Sequence, residues 1–405
     1  MERTRGRRAI GLANDERIRT AAISLLDEYG VDGFSVSDVV ALAGLTTGAF
    51  YARYQDLDEL LADLWEERMV SVVFDLAQQA ALLRDSWPEL DIDALARLLE
   101  STRERRIAFE LMSVMARVDP LADVVPRTLM GILESSRLAN PRDDVRDAIG
   151  VGLLALALGS AGHTRLDGAL HDDAAEIVQW IKAGRGHTWS GPAPVSPGAQ
   201  MMRFTPTPSP MQMTETELRR PRLLDAAVSV IARTGIRRAN LRRISRASGY
   251  SHSAVYEEYD SSQELLIDLV KEVVLKSTQV SNDASRYTDP EAEGAWLSGI
   301  LHPSGHTVRR LSFEFLLAAN HDVAYRAVFA DADQVLIEGV ATLLAGRSTP
   351  GHVTIARYRY ARRDLGFGLA VLEECVGGLA GVDWRPVVGT LLVGSLRRAG
   401  VSAKV

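Results

Sequence analysis

Arginine and small hydroxyl side chains gather in two stretches of this 405-residue chain. The first opens with Arg3, Arg5, Arg7 and Arg8 and runs on to Ser35, Ser37, Thr46 and Thr47. The second runs from Glu217 to Arg246 with nine arginines, the first of them Arg219, against two acids, Glu217 and Asp225, and continues into Ser251, His252 and Ser253. A guanidinium offers a planar fork of donors that fits a phosphate or a guanine edge, and hydroxyls and backbone amides hold phosphate oxygens. The chemistry these residues suit is therefore non-covalent recognition of a polyanion. The net charge of −7 points weakly the other way, but a local patch outweighs a total when salt screens fields within about 10 Å. Bond-making chemistry has no comparable signature. We find no phosphate-binding glycine loop, nucleophile elbow or paired-carboxylate pattern, and no enzyme is expected. His163, His302 and His306 do not have a metal spacing, so neither metal nor cofactor is expected.

The elements that must position these residues occur twice. Shifted by 205 residues, Arg17–Leu64 falls on Arg222–Leu269 without a gap, and 14 of the 48 positions are identical. Among them are Ala21/Ala226, Gly30/Gly235, Gly44/Gly249, Tyr51/Tyr256, Tyr54/Tyr259 and Leu60/Leu265. The register continues, with small insertions, through Arg105–Glu110 on Arg309–Glu314 and Gly150–Leu153 on Gly366–Leu369. A repeat of this reach marks duplication of a whole folding unit.

Within each copy the apolar period is helical. Ile18–Tyr29 has apolar residues at 18, 21, 22, 25, 26 and 29, and Gly30 follows where a C-cap glycine belongs. Ser35-Val36-Ser37-Asp38 reads as a capping box opening a second helix. Gly44-Leu45-Thr46 breaks the chain, Thr47–Tyr54 forms a short third helix, and Asp56 caps a fourth. In the second copy Asn240 is the cap, Gly249-Tyr250-Ser251 the turn and His252–Tyr259 the short helix. Helix, glycine turn, short helix is the helix-turn-helix.

Both segments resemble the tetracycline-repressor (TetR) family of bacterial regulators. The matching residues are the alanine pair of helix one, the glycine before the turn, and Ala49-Phe50-Tyr51-Ala52-Arg53-Tyr54 with Glu59-Leu60-Leu61. The second copy has Ala254-Val255-Tyr256-Glu257-Glu258-Tyr259 with Glu264-Leu265-Leu266. The resemblance implies an all-α protein of two tandem helix-turn-helix heads, each followed by a helical ligand-binding and dimerisation domain, forming an intrachain pseudo-dimer. The expected boundaries are a first head over 10–68, its helical domain over 69–183, a linker over 184–216, a second head over 217–276 and its domain over 277–405. The linker holds six of the 15 prolines and reads as extended.

Carried over by position, DNA contact is implied for Ser35, Ser37, Thr46, Thr47, Gly48, Ala49, Tyr51 and Arg53, and for Arg5, Arg7 and Arg8 of a minor-groove arm. In the second head it is implied for Asn240, Arg242, Arg243, Ser251, His252, Ser253, Ala254 and Tyr256. Both heads lack the family's phosphate-anchoring lysine, which Leu57 and Ser262 replace. Acids Glu257, Glu258 and Asp260 crowd the second recognition helix.

The resemblance further implies a ligand-responsive regulator acting as a repressor, and the differences between the two recognition helices at Thr47/His252, Gly48/Ser253 and Arg53/Glu258 predict an operator with unlike half-sites. Its partners would be double-stranded operator DNA and a small, apolar effector, with further oligomerisation open. Trp87, Phe109, Met112 and Met115, and Trp296, Phe313 and Phe315, are the candidate pocket residues; helical spacing makes each a core residue as well. A helical ligand-binding or interaction protein with one or both heads silent is the alternative. A single cysteine, Cys375, leaves no internal disulfide and reads as a packed side chain. The opening residues have no apolar signal segment, and the apolar stretch Ala148–Gly162 reads as too short for a bilayer. A cytoplasmic protein without a membrane partner is expected.

Overall fold

The structure is a computed structural model, and it describes residues 2–86, 91–163, 165–166, 215–281, 290–344 and 352–389. Trp87, the body of the expected linker, and the ends of the two expected helical domains over 167–183 and 390–405 lie outside the described residues. Repeat one comprises α1 (Glu2–Tyr29), α2 (Val36–Ala43), α3 (Thr47–Tyr51), α4 (Leu57–Leu64), α5 (Val70–Asp85), α6 (Ile92–Leu99), α7 (Arg103–Val114), α8 (Asp119–Ser135) and α9 (Val145–His163). Repeat two comprises α10 (Glu215–Thr234), α11 (Leu241–Ser248), α12 (His252–Tyr256), α13 (Ser262–Ser281), α14 (Pro290–Leu301), α15 (His306–His321), α16 (Val323–Leu344), α17 (His352–Val376) and α18 (Arg385–Val388). The fold is all-α, with no strand among the described residues.

Local chemistry fixes the ends of the short helices. Ser35 and Asp38 close a reciprocal capping box on α2. Thr46, Asp56, Asn240 and Ser251 each accept a hydrogen bond from the backbone amide three residues on. These caps satisfy amides that a helix start leaves without partners. Gly44 and Gly249 end α2 and α11 at φ 62° and 77°, a left-handed conformation that glycine adopts without strain. The third helices are one turn shorter than the sequence suggests, ending at Tyr51 and Tyr256. At the N-terminus the difference runs the other way. The arginine arm continues α1 as helix from Glu2, where the apolar period in the sequence opens the first helix at Ile18.

Between α4 and α5 the chain passes through one π-helical segment, Trp65–Met69, while the equivalent α13 is regular throughout. The joint is held by the Trp65 indole N–H, which donates to Thr128 Oγ1 of α8 at 2.8 Å. A π segment is a wide turn that shifts the face a helix presents downstream. The two heads are thus joined to their bodies by different geometry.

The apolar side chains form two cores that do not divide at the repeat boundary. The larger unites head one and its body with Leu297 and Leu301 of α14, Leu365, Leu369 and Leu372 of α17, and Phe313, Leu316 and Leu317 of α15. The smaller joins head two to Leu311, Phe315, Ala318 and Ala319 on the other face of α15. Helix α15 therefore carries apolar residues on two faces and serves both cores, the pattern expected of a helix buried between layers.

The two repeats meet where α9 crosses α17. A Cβ on Gly159 would lie 1.9 Å from the Asp364 carbonyl oxygen, and one on Gly368 would lie 1.8 Å from the Ala155 carbonyl oxygen. Backbone here meets backbone, which only glycine permits. His163 closes the crossing, with Nδ1 at 2.8 Å from Gly159 O and 3.1 Å from Asp364 Oδ1, and its ring edge-on to Phe367 at 4.7 Å. Burial holds its imidazole below the ordinary value, and the nearby Arg363 guanidinium acts in the same direction. Cys375 is buried in the same core, and burial pushes its thiol well up.

Helix α9 also corrects one expectation. At 19 residues it is long and apolar enough to cross a membrane, longer than the stretch read from sequence, yet 89% of its apolar window is buried inside the protein. The apolarity that resembles a membrane span serves a helix surrounded by protein on all sides.

Candidate nucleic-acid interface

Each head places a short helix, α3 or α12, at its surface by burying one aromatic or aliphatic residue and exposing the rest. Phe50 is fully buried between Tyr51 and Tyr54, with ring centroids at 5.5 and 5.4 Å. Val255 fills the same place in head two. Pinned by that residue, the helices expose Thr46, Thr47, Gly48, Tyr51 and Arg53 in one head and Ser251, His252, Ser253 and Tyr256 in the other. Ala49 and Ala254 are half-buried, small enough for close approach of the helix to a surface. Tyr51 and Tyr256 are 57% and 50% exposed, unusual for rings of this size. His252 stacks edge-on against Tyr256 at 4.8 Å, a pairing repeat one lacks because Thr47 stands there.

The second tyrosine of each motif has a different task. Tyr54 donates its hydroxyl to Asp63 Oδ2 at 2.9 Å, and Arg19 reaches the same carboxylate at 2.7 and 3.1 Å. In head two Tyr259 donates to Asp268 Oδ2 at 2.6 Å, and Arg220 clasps Asp268 at 2.9 and 2.8 Å. By register, Arg220 stands opposite Asp15 and not Arg19, so the two copies build one network from different turns of helix one. Burial alone would raise Asp63 and Asp268, but the arginine and tyrosine hydrogen bonds outweigh it and hold both carboxyls below the ordinary range. Burial first, then the bond to the carboxylate, raises both tyrosines. These side chains lock the fourth helix to the first and are not available to a ligand.

Arginine distribution separates the heads. On α11, Arg242, Arg243 and Arg246 are exposed, and Arg243 Nη1 reaches only the Arg238 carbonyl at 3.3 Å. Arg242 has no ion-pair partner among the described residues. Helix α2 has no basic residue, its exposed start being Ser35 and Ser37. Arg53 turns back toward α1, with Nε 3.4 Å from Asp15 and Nη2 3.6 Å from Asp63. On the acidic side, Glu257 is paired with Arg219 at 2.7 Å. Ser262, standing where a lysine is usual in the family, accepts from the Leu241 amide at 3.0 Å and so anchors the start of α11. Leu57 packs on the core.

Two bracing residues were not singled out from sequence, although the repeat pairs them. Arg17 Nη2 donates to Gly44 O at 3.1 Å, and Arg222 Nη1 donates to the Tyr250 hydroxyl at 3.3 Å. Each ties the first helix to the turn that orients the short helix.

The profile described as "Bacterial regulatory proteins, tetR family" matches this chain twice, over residues 18–64 and 223–269. These are the two heads just described. Each head is a TetR-type DNA-binding domain, present twice in this chain. It is 31% identical over 77 residues to the uncharacterized HTH-type transcriptional regulator YvdT of Bacillus subtilis, a match spanning 19% of this chain and 40% of that relative. A transcriptional regulator from Rhodococcus sp. Rha1 aligns structurally with a TM-score of 0.36 and 20% identity, over 43% of this chain and 96% of the other.

The pocket candidates in the helical bodies are packed side chains. Phe109, Met112, Met115, Phe313 and Phe315 are buried in the cores, and Phe109 lies against Gly162 of α9. Trp296 lies under the Arg362 guanidinium at 3.5 Å from its ring centroid, and Arg362 Nε pairs with buried Glu293 at 2.8 Å. In repeat two a satisfied ion pair and its stacked indole thus take up interior space between α14 and α17.

Proposed function

We propose that this chain is a DNA-binding transcription regulator, acting as a repressor, whose two unlike heads occupy one operator with two non-identical half-sites. The carrying observation is a pair of recognition helices presented in the same frame with different exposed chemistry. One offers Thr47, Gly48 and Tyr51 beside an α2 with no basic residue; the other offers His252, Ser253 and Tyr256 beside Arg242 and Arg243. Hydroxyls and amides at capped helix starts hold phosphates, and the exposed guanidinium of Arg242 has the donor fork that a guanine edge would accept. The duplication makes the second contact intramolecular, at an effective concentration reaching about mM, so the chain works as its own pseudo-dimer. The cytoplasm, where the DNA lies, is its place of action. An apolar effector bound within a helical body would release the operator, with the packed aromatic and Met residues moving to admit it.

The acids Glu257, Glu258 and Asp260 favour a second reading, an interaction protein whose second head has lost DNA. Their weight is reduced by the Arg219 partner of Glu257. Selection of bound duplexes from a random pool, followed by gel shifts with Tyr51→Ala and Tyr256→Ala, separates the two. We expect an imperfect palindrome and loss of affinity with either substitution. A perfect palindrome, or indifference to Tyr256→Ala, contradicts the proposal.

A further inference from the structure

The heads touch each other, with Arg238 of one 3.6 Å from Asp32 of the other, and the two repeats build the contact differently. Glu110 of α7 and Glu314 of α15 are equivalent in the repeat. Each accepts a hydrogen bond from the residue after its own head's C-cap glycine, Val31 N for Glu110 and, at 3.0 Å, Ile236 N for Glu314. Seven residues beyond each glutamate, the equivalent positions are Arg117 and His321, and each crosses to the other repeat. Arg117 Nε donates to Glu314 Oε1 at 2.6 Å, while Nη2 and Nη1 clasp Asp32 of the head-one loop at 2.6 and 3.2 Å. The opposite bridge is His321 Nε2 to Glu110 Oε2 at 3.3 Å.

Only one of these bridges is ionic by construction. The Arg117 guanidinium is a fixed cation, whereas His321 Nδ1 lies 3.2 Å from Arg165 Nη1 and 3.3 Å from the Glu28 carbonyl oxygen while its Nε2 faces Glu110. Asp32, the loop carboxylate that Arg117 grips, has Arg237 as its counterpart by register. A second arginine at 321 would face that cation, and a histidine avoids the conflict. The copies have diverged in concert at a place where they meet.

We infer that Arg117 is a positioning residue, which sets the distance and rotation between the two recognition helices and so the half-site spacing the protein accepts. A continuous line of contacts runs from the head-one loop through Asp32, Arg117 and Glu314 to Ile236 of head two. Arg238 of head two adds a direct approach to Asp32 at 3.6 Å. Arg117, Asp32 and Glu314 are all buried to below a tenth of their side-chain surface. At such burial charge-assisted bonds hold geometry far better than surface pairs do. Burial pushes the Glu314 carboxyl up, against the pull of Arg117, while the two carboxylates keep Arg117 above its ordinary value. One base pair of added spacing displaces a half-site by about 3.4 Å and rotates it by about 34°, so a fixed pair of heads discriminates sharply.

The inference rests on the DNA-binding reading only in its spacing consequence, and the test has two arms. Pulsed electron resonance between spin labels on Ser37→Cys and Arg246→Cys reports head separation without DNA. Duplexes with the half-sites moved by one or two base pairs report spacing. We expect a narrow distance distribution and about a tenfold affinity advantage for one spacing in the otherwise unchanged protein, with both lost in Arg117→Met and in the milder Glu314→Gln. Arg142→Ala, which removes another inter-repeat contact at Gly378, lowers stability but moves neither readout. An unchanged distance distribution in both Arg117→Met and Glu314→Gln overturns the inference. A broadened distribution in a protein that binds no duplex at any spacing upholds it and removes the proposed function instead.

Discussion

Replacing Gly159 or Gly368 by alanine should destabilise the protein, although the same change in an ordinary helix stabilises it. Alanine is favoured over glycine inside a helix by about 1 kcal/mol, in part through a less disordered unfolded chain. At these two positions the added Cβ would fall 1.9 and 1.8 Å from carbonyl oxygens of the facing helix. Those oxygens are backbone and cannot rotate aside, so α9 and α17 must part by about 1.5 Å before ordinary contact is restored. Overpacking of this kind costs about 1–3 kcal/mol, and loss of the buried His163–Asp364 contact adds to it. A net loss of about 1–2 kcal/mol is expected for each single substitution. Because the second change meets a gap the first has opened, the double variant should cost less than the sum. Gly131, mid-helix in α8 with nothing within 4 Å of its Cβ position, is the internal control. Gly131→Ala should be neutral or stabilising by up to about 1 kcal/mol. Urea unfolding followed by circular dichroism measures all three. Stabilisation by Gly159→Ala or Gly368→Ala would refute the close crossing and the joining of the repeats that rests on it.

Further expectations concern the heads. Tyr54→Phe removes a half-buried hydrogen bond to Asp63 and should cost about 1 kcal/mol without altering operator sequence, as thermal melts and gel shifts would reveal. Asp63 and Asp268 have depressed folded values, so their stabilisation is present above the unfolded carboxyl value of about 4 and is lost as pH falls through the lower folded values. Acid titration by fluorescence of Trp65, next to head one, should therefore show head loosening below about pH 4, and Asp63→Asn should flatten that dependence; an unaltered titration would contradict it. Arg242→Ala should weaken duplex binding, reduce the salt slope by about 1 if the residue holds a phosphate, or relax one base position at a cost of about 1–3 kcal/mol if it reads a guanine.

The parts of this molecule legible in the sequence are those set by neighbours along the chain. Ser35, Thr46, Asp56, Asn240 and Ser251 act within three residues of themselves, and Gly44 and Gly249 answer a local backbone demand. The repeat then ordered the two heads. The apolar period that marks helix one begins at Ile18, so it gives no sign of the helical arm before it. Arg53 and Trp296 show a different limit. Each has the right type for the role inferred from position, but Asp15 and Asp63 draw Arg53 inward and Arg362 covers Trp296, partners distant in sequence. The head-to-head line joins residues 32, 117, 236 and 314, none remarkable alone; only their meeting in space gives them a task.

Under the proposed function, one chain supplies both halves of a DNA-reading unit. Native mass spectrometry of the protein with a selected duplex carrying both half-sites tests it most directly. One chain per duplex, retained when the two half-sites are unlike and lost when either is scrambled, is the result predicted. Two chains per duplex, each using the same head on a symmetric site, would contradict it.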